Sequence, residues 1–211
     1  ATAEAVDAEG WLHTGDAGYL DDRGHLVVID RAKDVLTTAD GTPFSSAFIE
    51  NKLKFSPYVE EAVTFANPDG VMTGLLTLDP MTVGSWAEHE RLSYTTYTDL
   101  VSKREVYELI AEEVDRANAD LPESSRIRRF TLLHKQFDPD DDEITRTRKV
   151  RRSVISNRYG DIIDALRRGA PSVAVRSVIS YQDGSKAERR LDLRIFDLSS
   201  YSTANGRGRR P

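Results

Sequence analysis

Gly10-Trp11-Leu12-His13-Thr14-Gly15-Asp16 and Ile29-Asp30-Arg31-Ala32-Lys33-Asp34 decide how the rest of the chain is read. The first stretch has the grammar of a strand closing in a tight turn that presents a carboxylate. Trp11 and Leu12 are apolar ballast, Thr14 and Gly15 make the turn, and Asp16 points outward as a pair of acceptors. The second stretch closes the apolar run Leu26-Val27-Val28-Ile29 with charged and small residues. Hydrophobicity falls away there as it does where a buried strand leaves its domain. A carboxylate at Asp16 is suited to accept from the vicinal hydroxyls of a ribose, and Arg31 to donate to the same sugar.

Composition sets the outer bounds. With 211 residues, 39% hydrophobic and 30% charged, the chain can bury one good core, or one core and a fragment of another. It has no cysteine, which removes disulfide frameworks and thiolate metal sites and fits a reducing compartment. His13, His25, His89 and His134 share no metal-ligand spacing, so no metal site is expected. A net charge of −6 argues against a nucleic-acid partner, and no apolar run approaches the roughly 20 residues needed to span a bilayer. Ala1-Thr2-Ala3-Glu4-Ala5 is neither a signal peptide nor an initiator start. The chain reads as beginning partway through a protein.

Along the chain, a strand is expected through Leu12, a turn at Asp16–Gly18, a strand at Tyr19–Leu20, a turn at Asp22–Gly24 and a strand from His25 to Ile29. Val35 to Thr38 reads as a short strand and Ala39–Pro43 as a turn. Ser45 or Ser46 then caps a helix that runs through Phe48, Ile49 and Leu53, with Glu50 on its polar side. Val59–Ala66 and Thr73–Leu78 read as strands around the Asn67-Pro68-Asp69-Gly70 turn, and Ser85–Glu90 as a helix start. Asp99 to Asp120 is the clearest helix, its Val101, Val106, Leu109, Ile110, Val114 and Ala117 at i, i+3, i+4 spacing; Leu121-Pro122 stops it. Ile127 to His134 reads as a strand. Strand, strand, helix, strand makes a small α+β domain. Val154, Ile155, Tyr159, Ile162, Ile163 and Leu166 give a core-facing helical stripe ending at Gly169. Ser172–Tyr181 and Leu191–Ile195 alternate about Asp183-Gly184 as a β-hairpin, and Ser199 to Pro211 has a disordered composition.

Between the strand at Ile127 and the final helix lies a block of opposed charge. Asp138 to Glu143 holds five carboxylates, and Ile144 to Arg152 holds five cations, Arg146, Arg148, Lys149, Arg151 and Arg152. As a bare charge block this is most often a solvated turn before a helix. A nucleic-acid patch is the sharper alternative, but the acidic run beside it repels phosphate and it lacks aromatic residues.

GWLHTGD, the Asp21-Asp22-Arg23-Gly24 turn and DRAKD followed by Gly41 and Ile49-Glu50 together resemble the adenylate-forming superfamily of acyl-CoA synthetases, luciferase-like enzymes and non-ribosomal adenylation domains. Thr145-Arg146-Thr147-Arg148-Lys149-Val150-Arg151-Arg152 resembles the terminal lysine motif of its long-chain subtype, Thr-x-Thr-x-Lys-Val-x-Arg. The resemblance runs from Ala1 to about Arg168 and is strongest to the C-terminal part of a bacterial long-chain fatty-acid–CoA ligase. It implies that Asp16 holds the ATP ribose with Arg31 beside it. It also implies that Asp30 is the hinge between a large and a small domain, that Gly41 lies on a CoA-side loop, and that Lys149 is catalytic, a mobile charge reaching the substrate carboxylate and α-phosphate. The chain departs from the family twice. Thr42-Pro43-Phe44-Ser45-Ser46 moves the loop proline, and Arg148 stands where a glycine commonly precedes the lysine.

The implied organisation is the end of the large AMP-binding domain (1–30), a mobile α+β domain (31–169), a β-hairpin extension (170–198) and a tail (199–211). The implied activity joins a fatty acid to CoA through acyl-AMP, using ATP and Mg²⁺. The phosphate loop, the metal site and the acyl pocket belong to the family's N-terminal domain, which has no counterpart here, so the segment alone is expected to be inactive. A cytoplasmic setting is implied, with peripheral contact at the inner face of the membrane left open. Two other readings stand beside it: a non-catalytic domain that binds a protein partner, and part of a fatty acyl-AMP ligase that stops at the adenylate.

Overall fold

The computed structural model describes residues 6–32, 35–37, 43–67, 70–180 and 186–205. In chain order these form β1 (Asp16–Leu20), β2 (Leu26–Arg31), β3 (Val35–Thr37), β4 (Pro43–Ser45), α1 (Ser46–Leu53), β5 (Val59–Ala66), β6 (Met72–Leu78), α2 (Pro80–His89), α3 (Tyr97–Ser102), α4 (Arg104–Ala119) and β7 (Ile127–Leu132). Then follow α5 (Arg152–Arg158), α6 (Gly160–Arg168), β8 (Ser172–Ser180), β9 (Lys186–Arg194), β10 (Phe196–Asp197) and α7 (Leu198–Asn205). The expected Gly41 loop, Lys33 and Asp34 of the expected hinge, Pro68-Asp69 and the Asp183-Gly184 turn lie outside the described residues.

A four-stranded sheet in the order β10-β7-β6-β5 is the centre of the molecule. β5 and β6 are antiparallel, with Gly70 N donating to Asn67 O at 2.9 Å between them, whereas β6 and β7 are parallel. Parallel neighbours need a long crossover, and α2, α3 and α4 supply it. Every residue of β6 is buried, because helices cover the sheet on both faces. Ala62, Leu76, Phe130 and Leu132 pack with Ile49 and Leu53 of α1 and with Val106, Ile110 and Val114 of α4. The alternate residues Val63, Phe65 and Leu75 pack instead with Ile155, Ile162, Ile163 and Leu166 of α5 and α6. Each such side chain contributes about 1.5–3 kcal/mol on burial, so this sandwich is the main source of stability. β1–β2 forms a separate antiparallel hairpin that leaves Tyr19, Leu20, Leu26 and Val28 exposed.

Several expectations are corrected. Asp16–Gly18 is the start of β1 rather than a turn; the turn falls one step earlier, at Gly15 with its positive φ of 73°. The ladder extends that far because Asp16 pairs across the strands with Arg31. Asp30 and Arg31 accordingly belong to β2 and not to a loop beyond it. Leu12 forms only an isolated bridge to Val6. The helix expected from Ser85 begins at Pro80, where Asp79 caps it by accepting from Thr82 N at 2.7 Å. Asp99–Asp120 is two helices rather than one. Lys103 is extended at the break (ψ 139°), and Ser102 Oγ donates to Asp99 O at 2.7 Å, diverting a carbonyl from the helical ladder. The stripe from Val154 to Leu166 is likewise broken at Tyr159, and it ends at Gly169 in the left-handed conformation.

The C-terminal region departs most from its expectation. Phe196 and Asp197 pair with Phe130 and Arg129 as an edge strand of the central sheet, and Leu193 and Ile195 enter the second core. The expected tail begins inside α7, where Leu198 is 5% exposed and the Tyr201 ring lies 5.4 Å from that of Phe196. Residues 206–211 lie outside the described residues. Composition from Ser199 onward is polar, so the apolar contacts of Leu198 and Tyr201 outweigh it. Leu198→Ala should therefore lower unfolding free energy by about 2–4 kcal/mol, as for a core leucine. Denaturant melts that agree with the unaltered chain within about 0.5 kcal/mol, the range of a surface change, would refute this packing.

Candidate functional site

The β1–β2 hairpin sets Asp16 and Arg31 directly opposite each other. Arg31 Nη1 lies 3.0 Å from Asp16 Oδ1 and also donates to Thr14 O at 2.8 Å, which ties the guanidinium to the turn before β1. Both side chains remain partly exposed, so the pair stabilises the fold by less than about 1 kcal/mol. It presents a carboxylate and a guanidinium side by side at an open edge.

One residue before Arg31, Asp30 uses both carboxylate oxygens. Oδ1 accepts from Arg31 N at 2.8 Å, and Oδ2 accepts from Ser45 Oγ at 2.6 Å. Ser45 is the N-cap of α1 and accepts from Phe48 N at 3.2 Å. Its neighbour Ser46 accepts from Arg152 Nη2 at 2.8 Å. Arg152 also donates to Thr64 O at 2.7 Å and pairs with Glu50, whose Oε1 accepts from Thr64 N at 2.7 Å. Glu50 thus faces inward to β5 and Arg152 and not to solvent, as its place on a polar helix side had suggested. Burial pushes its carboxyl above the ordinary range, against the opposing pull of Arg152.

Lys149 sits in a short hairpin built from the charge block. Ile144 bridges Val150, Thr145 N donates to Lys149 O at 2.8 Å, and Arg148 N donates to Thr145 O at 2.8 Å. Thr145 Oγ1 accepts from Lys149 N at 3.0 Å. Arg148 has a positive φ of 58°, a conformation glycine adopts without a Cβ penalty. Here an ion pair from Arg148 to Glu60 of β5 holds the residue in place. Lys149 is exposed, and among the described residues its ammonium makes no hydrogen bond or ion pair.

Beneath that hairpin Glu143 is fully buried. It accepts from Tyr159 OH at 2.6 Å, Asp138 N at 3.0 Å, Arg158 Nη1 at 3.0 Å and Lys135 Nζ at 3.1 Å. Burial by itself would raise its pKa, but these donors, led by Tyr159 and Asp138, together outweigh burial and hold the carboxyl below its ordinary value. Glu143 O further accepts from Arg151 N at 2.8 Å. The base of the Lys149 hairpin is therefore fixed on both sides.

Asp16, Arg31 and Asp30 form one group, and Lys149 belongs to another; no hydrogen bond or ion pair among the described residues joins Lys149 to that group. Sequence reasoning passed over Glu143 and Ser45 as parts of a charged run and a cap. A carboxylate closing an acidic run gives no sign that it alone is buried. A cleft of about 670 Å³ lies elsewhere, along Pro122–Ser124, Arg126, Arg128 and Arg129. Arg128 pairs there with Glu123 and Arg129 with Asp197, so its charge is largely internally balanced. No group of three or more His, Asp or Glu among the described residues converges on a metal, and no helix among them is long and apolar enough to cross a membrane.

Residues 33–170 match the family model described as the AMP-binding enzyme C-terminal domain. The chain is 37% identical over 166 residues to a protein of Mycobacterium tuberculosis named, provisionally, as fatty-acid–CoA ligase fadD11, covering 78% of this chain and 29% of that one. It is 30% identical over 167 residues to the long-chain-fatty-acid–CoA ligase FadD15 of the same species, covering 79% and 28%. It is also 31% identical over 182 residues to the long-chain-fatty-acid–CoA ligase ACSBG1 of Bos taurus, covering 78% and 25%. The chain thus spans under a third of the length of these relatives. In fold it is similar to the adenylation domain of a carboxylate reductase from Mycobacterium chelonae, with TM-score 0.63 and 22% identity over 79% of this chain and 24% of that one.

The sign of the Glu143 shift gives a pH test. A depressed folded pKa contributes stability that is present above the unfolded value, near 4.3, and is lost as pH falls through the folded value. Glu143→Gln should cost about 1–3 kcal/mol at pH 7, since it removes the buried charged acceptor of four hydrogen bonds while Lys135 and Arg158 keep their pairing with Asp141. The difference in Tm between the two proteins should narrow below about pH 4. A gap that is constant from pH 7 to pH 3 would show that the carboxylate charge is not what the site uses.

Proposed function

Because this chain belongs to the AMP-binding enzyme C-terminal domain family, we propose that it is the C-terminal part of an AMP-forming long-chain fatty-acid–CoA ligase. In the first half-reaction the fatty-acid carboxylate attacks the α-phosphorus of ATP, forming acyl-AMP and releasing pyrophosphate. In the second the CoA thiol attacks the acyl carbonyl, forming the thioester and releasing AMP. The cytoplasm is the compartment this reading entails. Magnesium accompanies ATP, and no group of His, Asp or Glu among the described residues converges to hold a metal.

The observation that carries the reading is an exposed lysine ammonium, without a hydrogen bond or ion pair among the described residues, on a hairpin fixed at its base, in a chain matched by relatives named fatty-acid–CoA ligases. Lys149 stabilises negative charge as carboxylate and α-phosphate approach, as a point charge on a flexible stem whose backbone is already set. Asp16 accepts from the ribose hydroxyls and Arg31 holds the turn that positions it. Asp30 is the hinge, and its place at the last step of β2 lets small φ/ψ changes there rotate everything that follows. The loop at Gly41 is assigned to the CoA side. The domain division at Asp30 and Arg31 follows from the same reading.

The test is Lys149→Ala in the complete polypeptide that supplies the rest of the ligase. Pyrophosphate release from fatty acid and ATP should fall about 10²–10³-fold, by analogy with loss of one donor aimed at developing charge. Thioester formation from synthetic acyl-AMP and CoA should stay within a few-fold. If both rates remain near the parent's, Lys149 is part of a solvated turn and the assignment fails.

A further inference from the structure

Ser45 stands where the two sides of the proposed hinge meet. Its hydroxyl oxygen does two things at once: it accepts from Phe48 N, capping α1, and its proton goes to Asp30 Oδ2 at 2.6 Å. The side chain is 5% exposed, so water competes little for that proton. Asp30 meanwhile accepts from the amide of the next residue, Arg31, through its other oxygen at 2.8 Å. The carboxylate therefore clamps the Asp30–Arg31 peptide on one side and the first turn of α1 on the other. Rotation about ψ of Asp30 or φ of Arg31 carries the peptide N–H away from a carboxylate that Ser45 holds still, or drags the carboxylate off Ser45. Either way, one charge-assisted hydrogen bond must break.

Resting on the reading of Asp30 as the hinge, we infer that Ser45 is the latch of that hinge. It is a positioning residue that holds one of the two arrangements of the small domain by tethering the hinge carboxylate to the N-cap of α1. The tether continues to the catalytic segment. Ser46, the next residue, receives Arg152, which lies three residues beyond Lys149 and also grips Thr64 O and Glu50. Closing or releasing the Asp30–Ser45 contact thus moves or frees a helix start that is bonded to the segment bearing Lys149. The displaced proline of this chain's loop matters here. Pro43 precedes the cap and leaves both Ser45 and Ser46 as hydroxyls at the head of α1.

Capping and latching are separable by substitution. Glycine is a good N-cap residue but has no hydroxyl, whereas threonine keeps the hydroxyl and caps nearly as well. Ser45→Gly in the complete ligase should change the ratio of the two half-reaction rates, adenylation and thioester formation from synthetic acyl-AMP, by roughly tenfold, as expected when a hydrogen bond to a charged group is removed from one of two states. Ser45→Thr should restore the parent's ratio. In this chain alone, Ser45→Gly should speed exchange of the Arg31 amide, because its acceptor loses its second tether. Equal loss of both half-reactions with a lowered Tm would reduce Ser45 to a cap and overturn the latch. An unchanged ratio, beside a Lys149→Ala variant whose adenylation collapses, would overturn the latch and leave the proposed function standing. A Lys149→Ala variant of normal activity would overturn the function itself, and unaltered Arg31 exchange would then overturn the tether as well.

Discussion

Everything presented by the Lys149 hairpin depends on a carboxylate that never meets water. Glu143 gathers the side chains of Lys135, Arg158 and Tyr159 with the amide of Asp138. These come from the exit of β7, from α5 and from the residue that separates α5 from α6. Isolated burial of such a charge is costly. Four donors make it tolerable, and they tie strand exit, acidic run and helix to a single point. Tyr159 shows the same logic from the donor side. Burial, with the Glu143 carboxylate next to it, pushes its phenol far above its ordinary value, so it stays a donor at any working pH. Rigidity is concentrated at the hairpin base, and the exposed Lys149 ammonium projects from the strand position just after its turn.

The second constraint is geometric. A sheet with β6 buried on both faces needs helices above and below, and the chain visits both. α1 to α4 cover one face before β7 is laid down parallel to β6, and α5 and α6 return to the other afterwards. The charge block is the passage between the two faces. Opposed charge suits it, since anions and cations can pair locally while the backbone turns over the sheet edge. Arg151 with Asp142 does so, Arg158 of α5 returns to Asp141, and Arg148 reaches instead across to Glu60 of β5.

Much of this was legible in the sequence. β5 matched its expected limits because Val59–Ala66 is a short apolar run bounded by turn residues, and Ser45 could be read as a cap because polar residues precede an apolar helix face. Errors arose where a tertiary contact overrode a local signal. Lys103 divides a well-patterned helix, Tyr159 divides another to bring its hydroxyl to Glu143, and Asp16 continues a strand because Arg31 lies opposite. The start of α2 was recoverable from Asp79-Pro80, a cap followed by proline at the first helical position. Glu143 was not recoverable: five neighbouring carboxylates look alike until the fold selects one to bury. The motifs gave Asp16, Arg31 and Lys149 as candidates, but the bonds linking Asp30 to Ser45 and Ser46 to Arg152 span too many residues to be read from spacing.

The two-residue strand β10 has a consequence for how the chain behaves among copies of itself. An uncovered sheet edge offers a row of free amides and carbonyls to any other strand, and folded proteins blunt such edges by pairing or covering them. On the β7 side that task falls to Phe196 and Asp197, held down by Phe130, Arg129 and the helix that follows. These residues lie past position 170, where the family match ends. A version of the chain ended at position 170 would keep Asp16, Asp30, Arg31 and Lys149 but lose the shield on β7, leaving an edge prone to recruit a neighbour's strand.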